Sequence, residues 1–370
     1  MESRNLHLVR DRMMVQYSRN GVLYASEDHF VYASSDGGGG WEKICHLQDR
    51  RTSLIAKTKS FLLRSGMVRR LRRNIGIHNV AVLPSGTVII QYDGIYRYDG
   101  VGTCASYVYS FKELNLLGPL KNGLAVDDRS GNLYFGEYNN QRPYSVRIMR
   151  GTDDGRKWEV CHQFPEGEIK HVHSIVPDPF RNRLWICTGD TDEEVHLFYT
   201  DDDFKTLSRF AGNSQMWRMV TLIPTPDALI WGSDAGRDAQ SAANYIYRWR
   251  FADKQMERLQ YINKPAYYAT RLSDGTLVLG TTYEPGQQGV NEETADIWLS
   301  KDGDRWERVA ALPFSPSGRS SGTRYGTVNF PAGDGSLEEL FFTPVNVRDL
   351  DFTLLTYRRQ PSEGHYDPSF

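Results

Sequence analysis

Apolar residues recur along this chain in short bursts, not in long helical faces. Each burst has the same form: a turn carrying Gly, Asn or a charged residue, then a brief strand apolar on both sides. Seven such strands read GVLYAS (Gly21–Ser26), GTVIIQY (Gly86–Tyr92), GNLYFGEY (Gly131–Tyr138), NRLWICTG (Asn182–Gly189), DALIWGS (Asp227–Ser233), GTLVLGTT (Gly275–Thr282) and LEELFFT (Leu337–Thr343). Further apolar strands follow in most units, among them FVYAS, VHLFYT, DIWLS and FTLLTYR. Repeats spaced by roughly 45 to 65 residues have the length of a four-stranded propeller blade. The pattern predicts an all-β chain, folded over residues 1–370 as a single seven-bladed β-propeller of four-stranded antiparallel blades. Six blades is the alternative if one unit is misread. No clear fourth strand follows FTLLTYR, whereas LHLVR (Leu6–Arg10) precedes the first unit. This predicts that Leu6–Arg10 supplies the outer strand of the last blade and leaves no open sheet edge.

The run SSDGGGGW (Ser34–Trp41) offers either a phosphate cradle or a hairpin turn. A phosphate loop needs Lys and Ser or Thr after the glycines and a helix opening there, but the strand-like WEKICHL follows. The motif also recurs. GTDDGRKW (Gly151–Trp158), TDDDFKTL (Thr200–Leu207) and SKDGDRW (Ser300–Trp306) repeat parts of it, with Phe204 at the Gly position of the third copy. Gly accepts the positive φ of a tight turn, Asp and Ser bond nearby backbone N–H groups, and Trp packs between blades. The run is therefore read as a repeated turn.

These turns resemble the Asp-box (BNR repeat), S-x-D-x-G-x-x-W, of the sialidase-like β-propeller superfamily, where it closes the hairpin between a blade's third and fourth strands. The resemblance extends over essentially the whole chain and implies the fold. It does not imply sialidase activity. Arg12 stands near the place of the first sialidase arginine but is followed by Met13 and Met14, not Ile-Pro or Leu-Pro, and no Tyr matches the sialidase nucleophile by motif. Seven-bladed propellers of similar kind include polysaccharide lyases and glycosidases acting on uronate-containing glycans, and others that serve as assembly factors.

Composition changes this picture little. Of 370 residues 39% are hydrophobic and the net charge is −2, so no global charge calls for nucleic acid or an anionic membrane surface. The N-terminal stretch has no apolar leader and no segment has the length of a membrane span, which predicts a cytoplasmic protein. Cys45, Cys104, Cys161 and Cys187 lie far apart without metal-site spacing. One segment departs from the repeat. Arg50–Arg73 carries nine basic residues and no acid, with apolar positions at helical spacing interrupted by Gly66. It is expected to be a basic, partly helical insertion between blades one and two, either a solvated cover or a flap over an anionic ligand. Residues 360–370 form a polar tail.

In a propeller the first strand of each blade lines the channel and starts on the same face as the loop after the second strand. Candidate chemistry therefore converges on one mouth. His171 and His173 in EIKHVHSI lie two apart on a strand and point the same way, and His78 stands at the matching place two blades earlier. The three imidazoles are candidate ligands for a divalent metal, or proton-transfer groups together with Tyr267 and Tyr268. Arg218, Arg271 and Arg324, with Trp217 and Tyr325, suit carboxylate binding and sugar stacking, and Asp190, Asp234 and Glu284 supply carboxylates. These residues point to a carbohydrate-active enzyme, a polysaccharide lyase or glycoside hydrolase, acting on an acidic, uronate-containing oligosaccharide or polysaccharide. The alternative is a non-catalytic propeller that binds a protein partner.

Overall fold

The structure, a computed structural model, describes residues 5–48, 76–140, 144–239, 243–316 and 323–358. The basic segment 50–73 and the tail 360–370 lie outside the described residues.

Seven four-stranded antiparallel blades follow one another along the chain. Five are separate sheets, and the first two share a nine-stranded sheet. Blades one and two are joined there by parallel pairing of their outer strands, His46 with Cys104 and Leu47 with Ala105. Ala332–Gly333 adds two residues parallel to the inner strand Met14–Arg19. The seventh blade is completed from the other end of the chain. Leu6–Arg10 pairs antiparallel with Leu354–Tyr357, placing Leu6 opposite Tyr357 and Leu8 opposite Leu355. The count is seven rather than six, and the closure is the one the sequence predicts.

The strands apolar on both sides are the second strands, and the reason is positional. Ala228–Gly232 and Leu277–Thr281 are buried at every residue because each lies between two neighbouring blades. Outer strands such as Lys157–Gln163 are largely exposed or half-buried. The ends of the second strands set how closely blades approach. A Cβ at Gly136 would come within 2.3 Å of the Val172 side chain, and one at Gly232 within 2.4 Å of Ala266. Only glycine permits this contact, and it seats the start of the next inner strand against its neighbour. Val172 lies between His171 and His173, and Ala266 precedes Tyr267, so the contact fixes the backbone that carries these side chains.

The repeated turn has one hydrogen-bonding scheme. In the first, Ser34 Oγ donates to Asp36 Oδ1 at 2.7 Å, and the N–H groups of Gly38 and Gly40 donate to Ser34 Oγ and Asp36 Oδ1. Thr200 and Asp202 repeat it with the N–H groups of Phe204 and Thr206, and Ser300 and Asp302 with those of Gly303 and Arg305. In two turns the indole N–H closes back on the turn, Trp41 to Gly38 O and Trp158 to Gly155 O. All four lie between third and fourth strands. Phe204 adopts φ 65°, the left-handed conformation that Gly38 and Gly303 supply elsewhere.

Candidate active site at the channel mouth

The inner strand of blade four, Val172–Asp178, carries the centre of the site at its start. His171 and His173 are both buried, and their Nε2 atoms lie 2.9 Å apart. Asp190, in the loop after the second strand of the same blade, places Oδ1 3.4 Å from each Nε2. Its other oxygen takes the Lys170 ammonium. Arg218, at the start of blade five, binds Asp190 Oδ1 through Nη2 at 3.3 Å and its backbone carbonyl through Nη1 at 3.1 Å. The same guanidinium reaches Asp234 at 3.4 Å and Asp238 at 3.1 Å. Tyr138 covers the cluster, its ring centroid 4.2 Å from that of His171.

The proton positions on the two imidazoles follow from their partners. His171 Nδ1 lies 2.6 Å from Asn139 O, and His173 Nδ1 lies 2.9 Å from Met219 O. A carbonyl oxygen only accepts, so both Nδ1 atoms carry hydrogen. Both Nε2 lone pairs then face one another and the carboxylate, a disposition that calls for positive charge between them. A proton shared by the rings supplies it, and so does a metal ion. The donor set fits a divalent ion. Two imidazoles and one carboxylate oxygen form a triangle with edges of 2.9, 3.4 and 3.4 Å. Both rings also donate their other N–H to a backbone carbonyl, the usual outer-shell arrangement of ligating histidines. His171, His173 and Asp190 are the group of potential metal ligands found among the described residues.

The surroundings of the mouth push two of its carboxyl groups in opposite directions. Burial pushes Asp234 far above the usual carboxylate range; Arg218 opposes this, and the charges of Glu284, Asp190 and Asp238 add to it. Its Oδ1 is buried with no hydrogen-bond partner among the described residues. Burial also works to raise Asp190, but the two imidazoles outweigh it and hold that carboxyl well below the ordinary range. Next to Asp234, Tyr267 donates its hydroxyl to Glu284 Oε1 at 2.6 Å, and the Arg237 N–H donates to Glu284 Oε2 at 3.1 Å. Burial, then the charges of Asp234 and Glu284, raise the Tyr267 phenol. Burial likewise raises Tyr268, and it lowers His173.

Several residues expected at this mouth do other things. His78 does not join the histidine pair. It contacts Gln91 Oε1 at 3.1 Å, and burial, with the Lys121 charge, lowers it to about 4. Trp217 belongs to the core, stacked on Trp231 at 4.9 Å. Arg271 lies at the opposite end of the channel, 5.6 Å over the Phe180 ring in the turn between the first and second strands of blade four. Arg218 is at the mouth, but three carboxylates already hold it, so it positions them and has no free fork for a substrate. Arg324 is exposed, and Tyr325 sits beside Tyr267, ring centroids 6.4 Å apart. The sequence reading missed Lys170, Tyr138 and Asp238. Lys170 directly precedes His171, and Tyr138 ends the run Gly131–Tyr138, where the loop after a second strand opens on this face. Below the mouth runs an axial cavity of about 430 Å³, walled by inner strands of six blades.

The comparisons with known proteins agree with this architecture. No protein-family model matches the sequence, and no curated relative does. Solved structures do match. The GH74 xyloglucanase of Xanthomonas campestris is 14% identical, with a TM-score of 0.57 over 92% of this chain and 52% of its own. The GH74 enzyme of Niastella koreensis is 14% identical, with a TM-score of 0.53 over 82% of this chain and 47% of its own. An oligogalacturonate lyase in complex with manganese is 12% identical, with a TM-score of 0.54 over 97% of this chain and 91% of its own. The chain thus spans about half the length of the GH74 enzymes it resembles. At these identities the likeness shows the fold, and the chain is a β-propeller. Among the described residues no helix is long and apolar enough to cross a membrane.

Proposed function

We propose that the channel mouth is the active site of a carbohydrate-active enzyme acting on an acidic, uronate-containing glycan, and that the repeated turns are Asp-boxes of the sialidase-like superfamily. The observation that carries the enzymatic reading is a pair of carboxyl groups on one buried guanidinium that their surroundings push in opposite directions. Asp234 keeps an oxygen without a partner among the described residues and is pushed toward its protonated form, while Asp190, a single guanidinium away, is held toward its ionised form. Such a pairing separates acid from base roles at neutral pH. Asp234 donates its proton to the leaving oxygen of the scissile bond. The Tyr267 hydroxyl, with Glu284 as the acceptor behind it, takes the proton removed from substrate or water. Arg218 and Lys170 keep Asp190 in place, and a divalent ion held by His171, His173 and Asp190 would present positive charge to the anionic sugar.

A divalent metal held by His171, His173 and Asp190 would supply Lewis-acid polarisation of the substrate carboxylate when bound. The propellers of similar fold, GH74 enzymes and an oligogalacturonate lyase with manganese, support this reading by analogy of fold.

The test is a panel of oligogalacturonates, glucuronate-containing and sialylated oligosaccharides, incubated with and without chelator. New reducing ends together with the ultraviolet absorbance of an unsaturated uronate identify a lyase. Reducing ends alone identify a hydrolase. No turnover on any member overturns the enzymatic reading in favour of the protein-binding propeller.

A further inference from the structure

The axial cavity holds a buried cation that the proposed chemistry does not use. Lys121 lies in the tight turn entering blade three, where Gly123 N–H donates to Leu120 O. That turn is pinned from two other blades. The Asn122 N–H donates to Asn79 Oδ1 at 2.6 Å, and Asn122 Nδ2 donates to Phe330 O at 2.9 Å. The Lys121 side chain is only 8% exposed, and its ammonium donates to Gln16 Oε1. Gln16 is itself fixed, because its Nε2 donates to Ser26 Oγ at 2.7 Å and Ile77 O at 3.2 Å. The acceptor is therefore neutral and immobile. Among the described residues no carboxylate forms an ion pair with Lys121.

Lys264 shows what a structural buried amine looks like in the same molecule. It is as buried as Lys121, yet it pairs with Asp296 and also donates to Thr294 at 2.7 Å. Lys121 lacks such compensation and borders the axial cavity with Tyr17, Asn122, His173, Tyr267 and Tyr268. Of these, Asn122 also keeps its Oδ1 buried without a partner among the described residues. An uncompensated buried charge is costly, and a cavity of about 430 Å³ has the size of a small-ligand site. The cavity's carboxyl groups are engaged elsewhere, Asp127 with Arg129, Asp128 with Arg19, Asp178 with Arg181 and Asp334 with the Asn20 N–H. Burial raises Tyr17, Tyr267 and Tyr268, so these phenols are neutral beside the amine.

We propose that Lys121 is the anion receptor of the axial channel, holding the carboxylate of an acidic sugar that enters from the mouth. This rests on the glycan reading and adds to it the residue that selects a uronate over its neutral counterpart. The ligand's carboxylate supplies the missing counter-charge and replaces Gln16 as the principal acceptor. Sugar rings stack against Tyr267 and Tyr268 on the way in.

Calorimetric titration with D-galacturonate, D-galactose and sodium acetate, on the wild type and on Lys121→Met, tests the assignment. Thermal denaturation confirms that the variant is folded. The wild type is expected to bind galacturonate and not galactose, and the variant to lose about thirtyfold or more in affinity, as when one partner of a buried charge pair is truncated. Equal galacturonate binding by both proteins overturns the role of Lys121 and leaves the glycan reading standing. Binding of acetate alone, lost in the variant, upholds the anion receptor and sinks the sugar. A wild type that binds none of the three overturns the receptor.

Discussion

The Nε2 atoms of His171 and His173 stand 2.9 Å apart while each Nδ1 is committed to a backbone carbonyl oxygen. Two lone pairs hold that distance only around a cation, so the pair tests directly for a bound metal. Titration with Mn²⁺ or Zn²⁺ is expected to show one site. His171→Ala should weaken it by about a hundredfold or more, beyond what loss of an outer-shell partner costs. If the wild type takes up no ion, the bridging charge is a shared proton, and metal chemistry is removed from the proposed mechanism.

Asp190 and Asp234 are predicted to respond unequally to the same substitution. Asp190 is the ionised partner of the half-buried Lys170 and the buried Arg218, so Asp190→Asn takes from that guanidinium one of its carboxylates and should cost about 3 kcal/mol in urea denaturation. Asp234 is pushed toward its protonated form, which Asp234→Asn nearly reproduces, so that variant should cost roughly 1 kcal/mol or less. A raised carboxyl stabilises the fold at acid pH, and that contribution is lost as pH rises through its folded value. Asp234→Asn should therefore remove part of the decline in stability from about pH 4 upward. Its glycan turnover should fall by about a hundredfold or more, because the amide has no proton to give. Equal stability losses in the two variants would show that Asp234 is ionised.

Lys121→Met should stabilise the protein, on the order of 2 kcal/mol at neutral pH, because it removes an unpaired buried charge. Burial lowers the amine from 10.5 to about 7. The folded chain thus holds fewer protons than the unfolded chain between those values, and wild-type stability rises with pH across that window. The advantage of the variant is full below pH 7 and fades toward pH 10.5. A difference in denaturation midpoint that does not change with pH would mean that the amine is charged throughout.

The fold was legible in the sequence because its signals are local. Each second strand announces itself by an apolar run after a turn, and Leu6–Arg10 could be assigned to the last blade because that blade lacked a strand. The general face of the site followed from strand polarity, and Asp190, Asp234, Glu284, Tyr267 and both histidines of EIKHVHSI are indeed together there. What could not be read was which neighbour satisfies which charge. Arg218 meets Asp190 from the preceding blade, and Asp234 and Asp238 from its own, so its fork is already filled. Trp217 and Arg218 are adjacent in sequence, yet one packs in the core and the other faces the mouth. His78 occupies an equivalent position in its blade but meets Gln91 and Asn79, where His171 meets His173.

Phe204 sets backbone strain against packing. Its φ of 65° belongs to glycine, and the strain costs about 1–3 kcal/mol. Its ring is buried 5.3 Å from that of Tyr134 and beside His162, and removing a buried Phe side chain costs about 3–5 kcal/mol. Packing outweighs strain, so Phe204→Gly should destabilise the protein by roughly 2 kcal/mol even though it restores the glycine of the other turns. A stabilised variant would mean that the strain exceeds the packing.

The pairing of Leu6–Arg10 with Leu354–Tyr357 makes the ring depend on a strand contributed from far along the chain. Deleting residues 1–10 exposes Leu354–Tyr357 as an unpaired edge and removes four registered residue pairs. At about 1 kcal/mol for each lost hydrogen bond, the cost is about 4 kcal/mol, with association through the bare edge at high concentration. The groove left behind is itself the template for the missing strand. A synthetic peptide of residues 5–11 added in trans should therefore restore the denaturation midpoint and suppress that association, as donor strands do at open sheet edges. A truncated protein that stays monomeric with an unchanged midpoint would show that the last blade is stable with three strands.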